Sequence, residues 1–117
     1  SNLDVLGEGF KIVGIFDKDS NKIGKIAAND LIVQDIRNVG EFIKNMKNDS
    51  NTKIDMAILA VVKEQAQIAA EGLVKNGISA ILNMTTYKLE LGENVKVVDM
   101  DISAKLQELN FWRINNN

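Results

Sequence analysis

Short apolar runs alternate along this chain with longer stretches in which apolar residues recur every three or four positions. Phe10 to Phe16 (FKIVGIF) is nearly unbroken, the pattern of a strand buried on both faces of a parallel sheet, and it ends at the turn-rich polar stretch Asp17-Lys18-Asp19-Ser20-Asn21. Leu31-Ile32-Val33 predicts a second strand, followed after Asp35 by Val39, Phe42, Ile43 and Met46 at helical spacing up to the break Asn48-Asp49-Ser50-Asn51. Met56 to Val62 (MAILAVV) is the strongest strand signal. The helix after it carries Ala66, Ala69, Ala70, Leu73 and Val74 on one side and stops at Asn76-Gly77. Ile78 to Leu82 and Val95 to Val98 predict two further strands. Ile102 through Arg113, with Leu106, Leu109, Phe111 and Trp112, predicts a final amphipathic helix.

Strands alternating with helices imply an α/β fold with right-handed crossovers. The expectation is a doubly wound, mostly parallel five-stranded sheet, Rossmann-like, closed by a C-terminal helix. At 117 residues, one domain spanning 1–117 is expected. Ligands of such sheets bind at the carboxyl ends of the strands. Here those ends are Asp17 to Asp19, Ala60-Val61-Val62, Asn83-Met84-Thr85-Thr86, and Asp99 to Asp101.

Composition narrows the chemistry. Fourteen Lys plus Arg against sixteen Asp plus Glu leave a net charge of −2, with neither sign gathered into a run that would attract nucleic acid. Without histidine there is no His-based general base and no Ser-His pair; without cysteine there are no disulfides or thiolate metal sites. A metal site would need carboxylates alone, and these are scattered among lysines, so none is expected. No apolar run approaches the roughly 20 residues that span a bilayer, and the start, Ser1-Asn2-Leu3-Asp4, lacks the basic-then-apolar pattern of a secretory signal. The expectation is a cytoplasmic protein. A short-chain dehydrogenase would want Tyr-x-x-x-Lys, but the sole tyrosine, Tyr87, has Lys88 adjacent and Leu91 four positions on. No enzymatic activity is expected.

Four blocks carry a family resemblance: GFKIVGIFDKD (Gly9 to Asp19), ILAVVKEQAQ (Ile58 to Gln67), GISAILNMT (Gly77 to Thr85) and VDMDISAKLQEL (Val98 to Leu109). In this order and spacing they resemble landmarks of the Rex redox repressors, dimeric proteins with an N-terminal winged helix for operator DNA and a C-terminal Rossmann domain that senses the balance of NADH and NAD. Only the second domain is resembled. The family's first strand and its G-x-G-N-L-G loop, which lets backbone approach a pyrophosphate, are not in this sequence. Gly7 and Gly9 are separated by Glu8 and precede a strand, so they make no phosphate cradle. The family's threonine and proline in its LTVP block are Ala60 and Val62 here. The expectation is a fragment or a degenerate relative, whose remaining strands close ranks in the flavodoxin-like order 2-1-3-4-5.

The resemblance implies roles for individual residues. Asp17 sits where the family's acid accepts hydrogen bonds from the adenosine ribose, though an Asp in a DKDSN stretch also suits a plain turn. Ala60, Val61, Asn83 and Met84 fall where the family lines its nicotinamide pocket. Asp101 matches an acid that takes part in contacts with the partner subunit's DNA-binding domain; Asp99 and Asp101 would equally serve as acids favouring a helix dipole. The family's last helix is exchanged between subunits, which implies a homodimer with Leu106, Leu109 and Trp112 in its interface. The resemblance thus implies an NADH- and NAD-sensing regulatory domain that reaches DNA only through a winged helix. The alternative is a Rossmann relic that dimerises and binds no nucleotide. The related coenzyme-A-binding folds of acyl-CoA ligases share the strand pattern, but their phosphoryl-carrying histidine has no counterpart here.

Overall fold

The Asn76-Gly77 stop works as the sequence predicts, and its hydrogen bonds show how the fold turns from helix to strand. In a computed structural model that describes residues 9–27 and 30–116, Gly77 takes a φ of +98°, a left-handed conformation glycine adopts without a Cβ penalty. The Gly77 N–H donates to Val74 O (3.0 Å) and the Ile78 N–H to Leu73 O (3.1 Å). This pair of bonds is a Schellman motif, and the buried side chains of Leu73 and Ile78 accompany it.

The chain forms two compact units, Ser1–Asn45 and Met46–Asn117, each described by itself. In the first, β1 (Ile15–Asp17) pairs in parallel with β2 (Val33–Asp35), Ile15 opposite Val33 and Asp17 opposite Asp35. A short 3-10 turn, Ile36–Asn38, leads into α1 (Val39–Ser50). The ring of Phe42 on α1 meets that of Phe16 edge to face, centroids 5.2 Å apart. Gly14 makes room for this contact: a Cβ there would lie 2.8 Å from the Phe16 ring and 2.9 Å from that of Phe42, so one ring would have to shift.

In the second unit, β3 (Met56–Leu59), β4 (Ala80–Asn83) and β5 (Lys96–Asp99) form a parallel sheet in the order 3-4-5. The register aligns Met56 with Ala80 and Lys96, and Leu59 with Asn83 and Asp99. Between β3 and β4 runs α2 (Lys63–Lys75), whose buried residues Ala66, Ala70 and Leu73 share the core with Leu59, Ile78 and Ile81. Period-2 alternation leaves the other face, with Met56, Ile58 and Val98, about half exposed. The β4 to β5 crossover contains no helix. The chain ends in α3 (Ile102–Asn115).

The α/β class and the parallel pairing are as the sequence predicts. The single sheet in the order 2-1-3-4-5 is not what the described residues form: 2-1 and 3-4-5 stand as separate ladders. Each ladder lies within its own unit, β1 with β2 in the first and β3, β4 and β5 in the second. Strand lengths also differ from expectation. The predicted first strand begins at Phe10, but only Ile15–Asp17 finds ladder partners, and Phe10 is 59% exposed. Gly7 and Glu8 lie outside the described residues.

Replacing Gly14 by Ala is expected to force the Phe16 and Phe42 rings apart and cost about 1–3 kcal/mol in chemical denaturation. A Gly14→Ala variant of wild-type stability would show that the aromatic contact is not formed in solution.

Candidate functional site

Parallel pairing brings Asp17 and Asp35 side by side at the carboxyl ends of β1 and β2. Asp17 Oδ1 accepts from the Asp19 N–H at 2.9 Å, and Asp19 Oδ1 from the Asn21 N–H at 2.9 Å, two successive Asx turns that shape the loop. The other oxygen, Oδ2, lies 3.9 Å from Lys22 Nζ, a long and well-solvated pair of small energetic weight. Asp35 is more fully engaged. It caps the 3-10 turn by accepting from the Arg37 N–H (2.9 Å), and takes the Arg37 guanidinium in a fork: Nε at 3.1 and 3.0 Å to its two oxygens and Nη2 at 2.6 Å to Oδ2. The guanidinium's hydrogen bonds, then the backbone one, hold the Asp35 carboxyl below the usual carboxylate range, and the side-chain hydrogen bonds to Asp35, then its charge, raise Arg37 above its own. Asp17 therefore keeps acceptor capacity at this end that Asp35 has already committed.

In the second unit the strand ends are organised by one side chain. Asn83, the last residue of β4, is 1% exposed. Its Oδ1 accepts from both the N–H (3.0 Å) and the hydroxyl (2.6 Å) of Thr85, while its Nδ2 donates to Tyr87 O (2.8 Å) and Asp99 Oδ1 (3.0 Å). The next residue, Met84, is half-buried and donates its N–H to Leu59 O at 2.9 Å. At the end of β3, Ala60 is exposed and Val61 half-buried. Val62 then occupies the N-cap of α2 without a side-chain capping bond, leaving the helix's first N–H groups without a side-chain acceptor from that position. The helix-free crossover is tied to α2 by Gln67, whose Nε2 donates to Glu90 O (2.8 Å) and whose Oε1 accepts from the Glu90 N–H (2.9 Å).

Asp101 is the N-cap of α3, its Oδ1 accepting from the Ala104 N–H at 3.0 Å. This is the helix-acid role foreseen for it, whereas Asp99 turns to Asn83 instead. Along α3, Leu106, Leu109 and Trp112 are all exposed, Trp112 by 64%. Successive residues turn by about 100°, so Ile102, Leu106, Leu109 and Trp112 form one stripe while Phe111 and Ile114 lie on roughly the opposite side. The single apolar face expected from the sequence is corrected to two. Gln67 and the Asp35–Arg37 fork were not singled out in the sequence, and Thr85 was named only as part of the strand-end stretch Asn83 to Thr86. Only the fork has a local signal there, an Asp followed two positions on by Arg. No helix among the described residues is long and apolar enough to cross a membrane.

The sequence model of the CoA binding domain matches residues 7–87. The redox-sensing transcriptional repressor Rex of Thermotoga petrophila is 40% identical across the whole chain, and Rex 1 of Thermotoga maritima 38%; the chain spans about half the length of each, 53%. Among solved structures, RSP, a Rex-family repressor, superposes with a TM-score of 0.71 at 33% identity, over 92% of this chain and 47% of that one. RSP in complex with beta-NADH gives the same score and identity over 92% and 48%. RSP with beta-NAD+ and operator DNA gives 0.67 at 32% identity over 87% and 43%.

The lowered Asp35 group has a pH consequence. Its pairing stabilises the fold above about pH 4, the unfolded value, and is lost as pH falls through the lowered folded value. An Arg37→Ala change is expected to move the Asp35 titration midpoint, read by carboxyl carbon NMR, back up into the ordinary range. An unmoved midpoint would mean that the fork does not form in solution.

Proposed function

Because the chain belongs to the CoA-binding domain family, with its parallel strands and ligand-facing strand ends, we propose that it is the nucleotide-sensing part of a redox-responsive transcriptional repressor, reading NADH against NAD+. The observation that carries this reading is the likeness, over 92% of the chain, to a Rex-family repressor solved with beta-NADH. Identity of 40% to the Rex of Thermotoga petrophila, over the whole of this chain and about half of that protein, supports it. The chemistry of the strand ends fits an adenosine ribose, since the Asp17 side chain is 36% exposed and its Oδ2 has only the long, solvated pair with Lys22 among the described residues, leaving it able to accept from hydroxyls. Ala60, Val61 and Met84 would border the nicotinamide; Asn83, expected from the sequence to line the same pocket, is 1% exposed with its amide bonded to Thr85, Tyr87 and Asp99, so it would support Met84 from behind instead of touching the ring. The Lys63 and Glu64 N–H groups at the start of α2, to which Val62 offers no side-chain cap, would be donors to its polar substituents.

In this reading the protein is cytoplasmic and a regulator, with no reaction of its own. It works as a homodimer in which Asp101, Leu106, Leu109 and Trp112 of α3 meet the partner subunit. DNA is reached only through a winged-helix domain outside this sequence. The two apolar stripes of α3 favour such an arrangement, because a helix apolar on opposite sides is suited to lying between two surfaces.

Isothermal titration of NADH, NAD+ and coenzyme A into the purified chain tests the sensing role. Micromolar binding of NADH is expected, weakened about tenfold by Asp17→Ala. Silence for all three ligands would reduce the chain to a dimerisation module, and binding of coenzyme A alone would reassign the ligand. For the assembly, light scattering is expected to give a dimer that Leu106→Asp with Leu109→Asp converts to monomer. An unchanged mass would remove α3 from the interface.

A further inference from the structure

Asn83 is the largest side chain fully enclosed in the described residues, and it is polar. A buried amide persists only if its hydrogen bonds are made, and here two bonds to its oxygen and two from its nitrogen are. The set admits few substitutes. An aspartate could not donate to Asp99 and would set two carboxylates at 3 Å. An apolar residue would leave the buried Thr85 hydroxyl and the Asp99 carboxylate without this partner.

The two sides of this amide lie on different elements. Toward Thr85 and Tyr87 it fixes the turn that follows β4 and contains Met84. Toward Asp99 it fixes the last residue of β5, and the backbone carbonyl of Asn83 also accepts from the Met100 N–H at 2.8 Å. One residue thus clamps Asp99 and Met100 in succession, and the next residue is Asp101, the N-cap that holds the start of α3 through Ala104. We propose that Asn83 is a positioning residue that couples the turn after β4 to the N-terminus of α3 through its Nδ2 hydrogen bond to Asp99. A displacement of the Met84 turn is carried by the buried amide to the helix start. In its last step, that a bound nucleotide supplies the displacement, the inference rests on the sensing role proposed above.

Amide hydrogen exchange of the ligand-free chain tests the coupling. Asp99→Ala is expected to speed exchange about tenfold at both Thr85 and Ala104, on opposite sides of the amide, with far-UV circular dichroism unchanged. Asp99→Asn, which keeps an acceptor oxygen, is expected to restore both to within about twofold. Thr85→Val, which removes only the hydroxyl, must speed Ala104 as well, and it decides the matter if Asp99→Ala does not fold. Acceleration at one amide without the other, or failure of the Asn variant to restore them, overturns the coupling. Titration with NADH, NAD+ and coenzyme A keeps the two proposals apart. Linked exchange with no binding refutes the sensing role alone, and binding with unlinked exchange refutes the coupling alone.

Discussion

Ala66 and Ala70 are wholly enclosed, and the second unit is arranged around the narrow helix face they make. Small side chains at positions four apart let α2 lie close on β3, and Leu59, Leu73, Ile78 and Ile81 are buried with them in the core. The Schellman turn at Gly77 then fixes where the chain leaves the helix, and so where β4 begins. From this contact follow the parallel register and the placing of Leu59, Asn83 and Asp99 level with one another at the carboxyl end of the sheet.

That end of the sheet is built from polar groups that satisfy one another. Asn83 binds the turn after β4 and the end of β5, and the Gln67 amide holds the helix-free crossover through both hydrogen-bonding groups of the Glu90 backbone. The first unit uses charge in the same position: Asp35 is committed to Arg37, while Asp17 shapes its own turn and keeps an oxygen toward solvent. The difference between these two neighbouring acids is local. Arginine two residues on reaches back in a planar fork, and the more distant lysine does not.

Much of this was legible in the sequence where the signal is local. The helices α1, α2 and α3 start or stop where apolar spacing, Asn-Gly and the acid before Ile102 indicate, and β3, β4 and β5 fall within or beside their apolar runs. Asp17 at the end of β1 and Asn83 at the end of β4 were legible from the order of the four blocks. Ladder extent was not. Phe10 to Phe16 looks like a fully buried strand, but a strand's length is set by its partner, and β2 offers only three residues. The inward turn of Asn83 was equally hidden, because an Asn at a strand end reads the same whether it faces a ligand or a carboxylate sixteen residues away.

The chain contains one tryptophan, and it stands near the end of α3 with its indole largely open to water. Its ultraviolet emission is therefore a private signal of that helix. It is nearly blind to the alanine-lined core, which could melt without much change in colour, and sensitive to any surface that closes over the indole. A blue shift in this protein would record docking rather than folding.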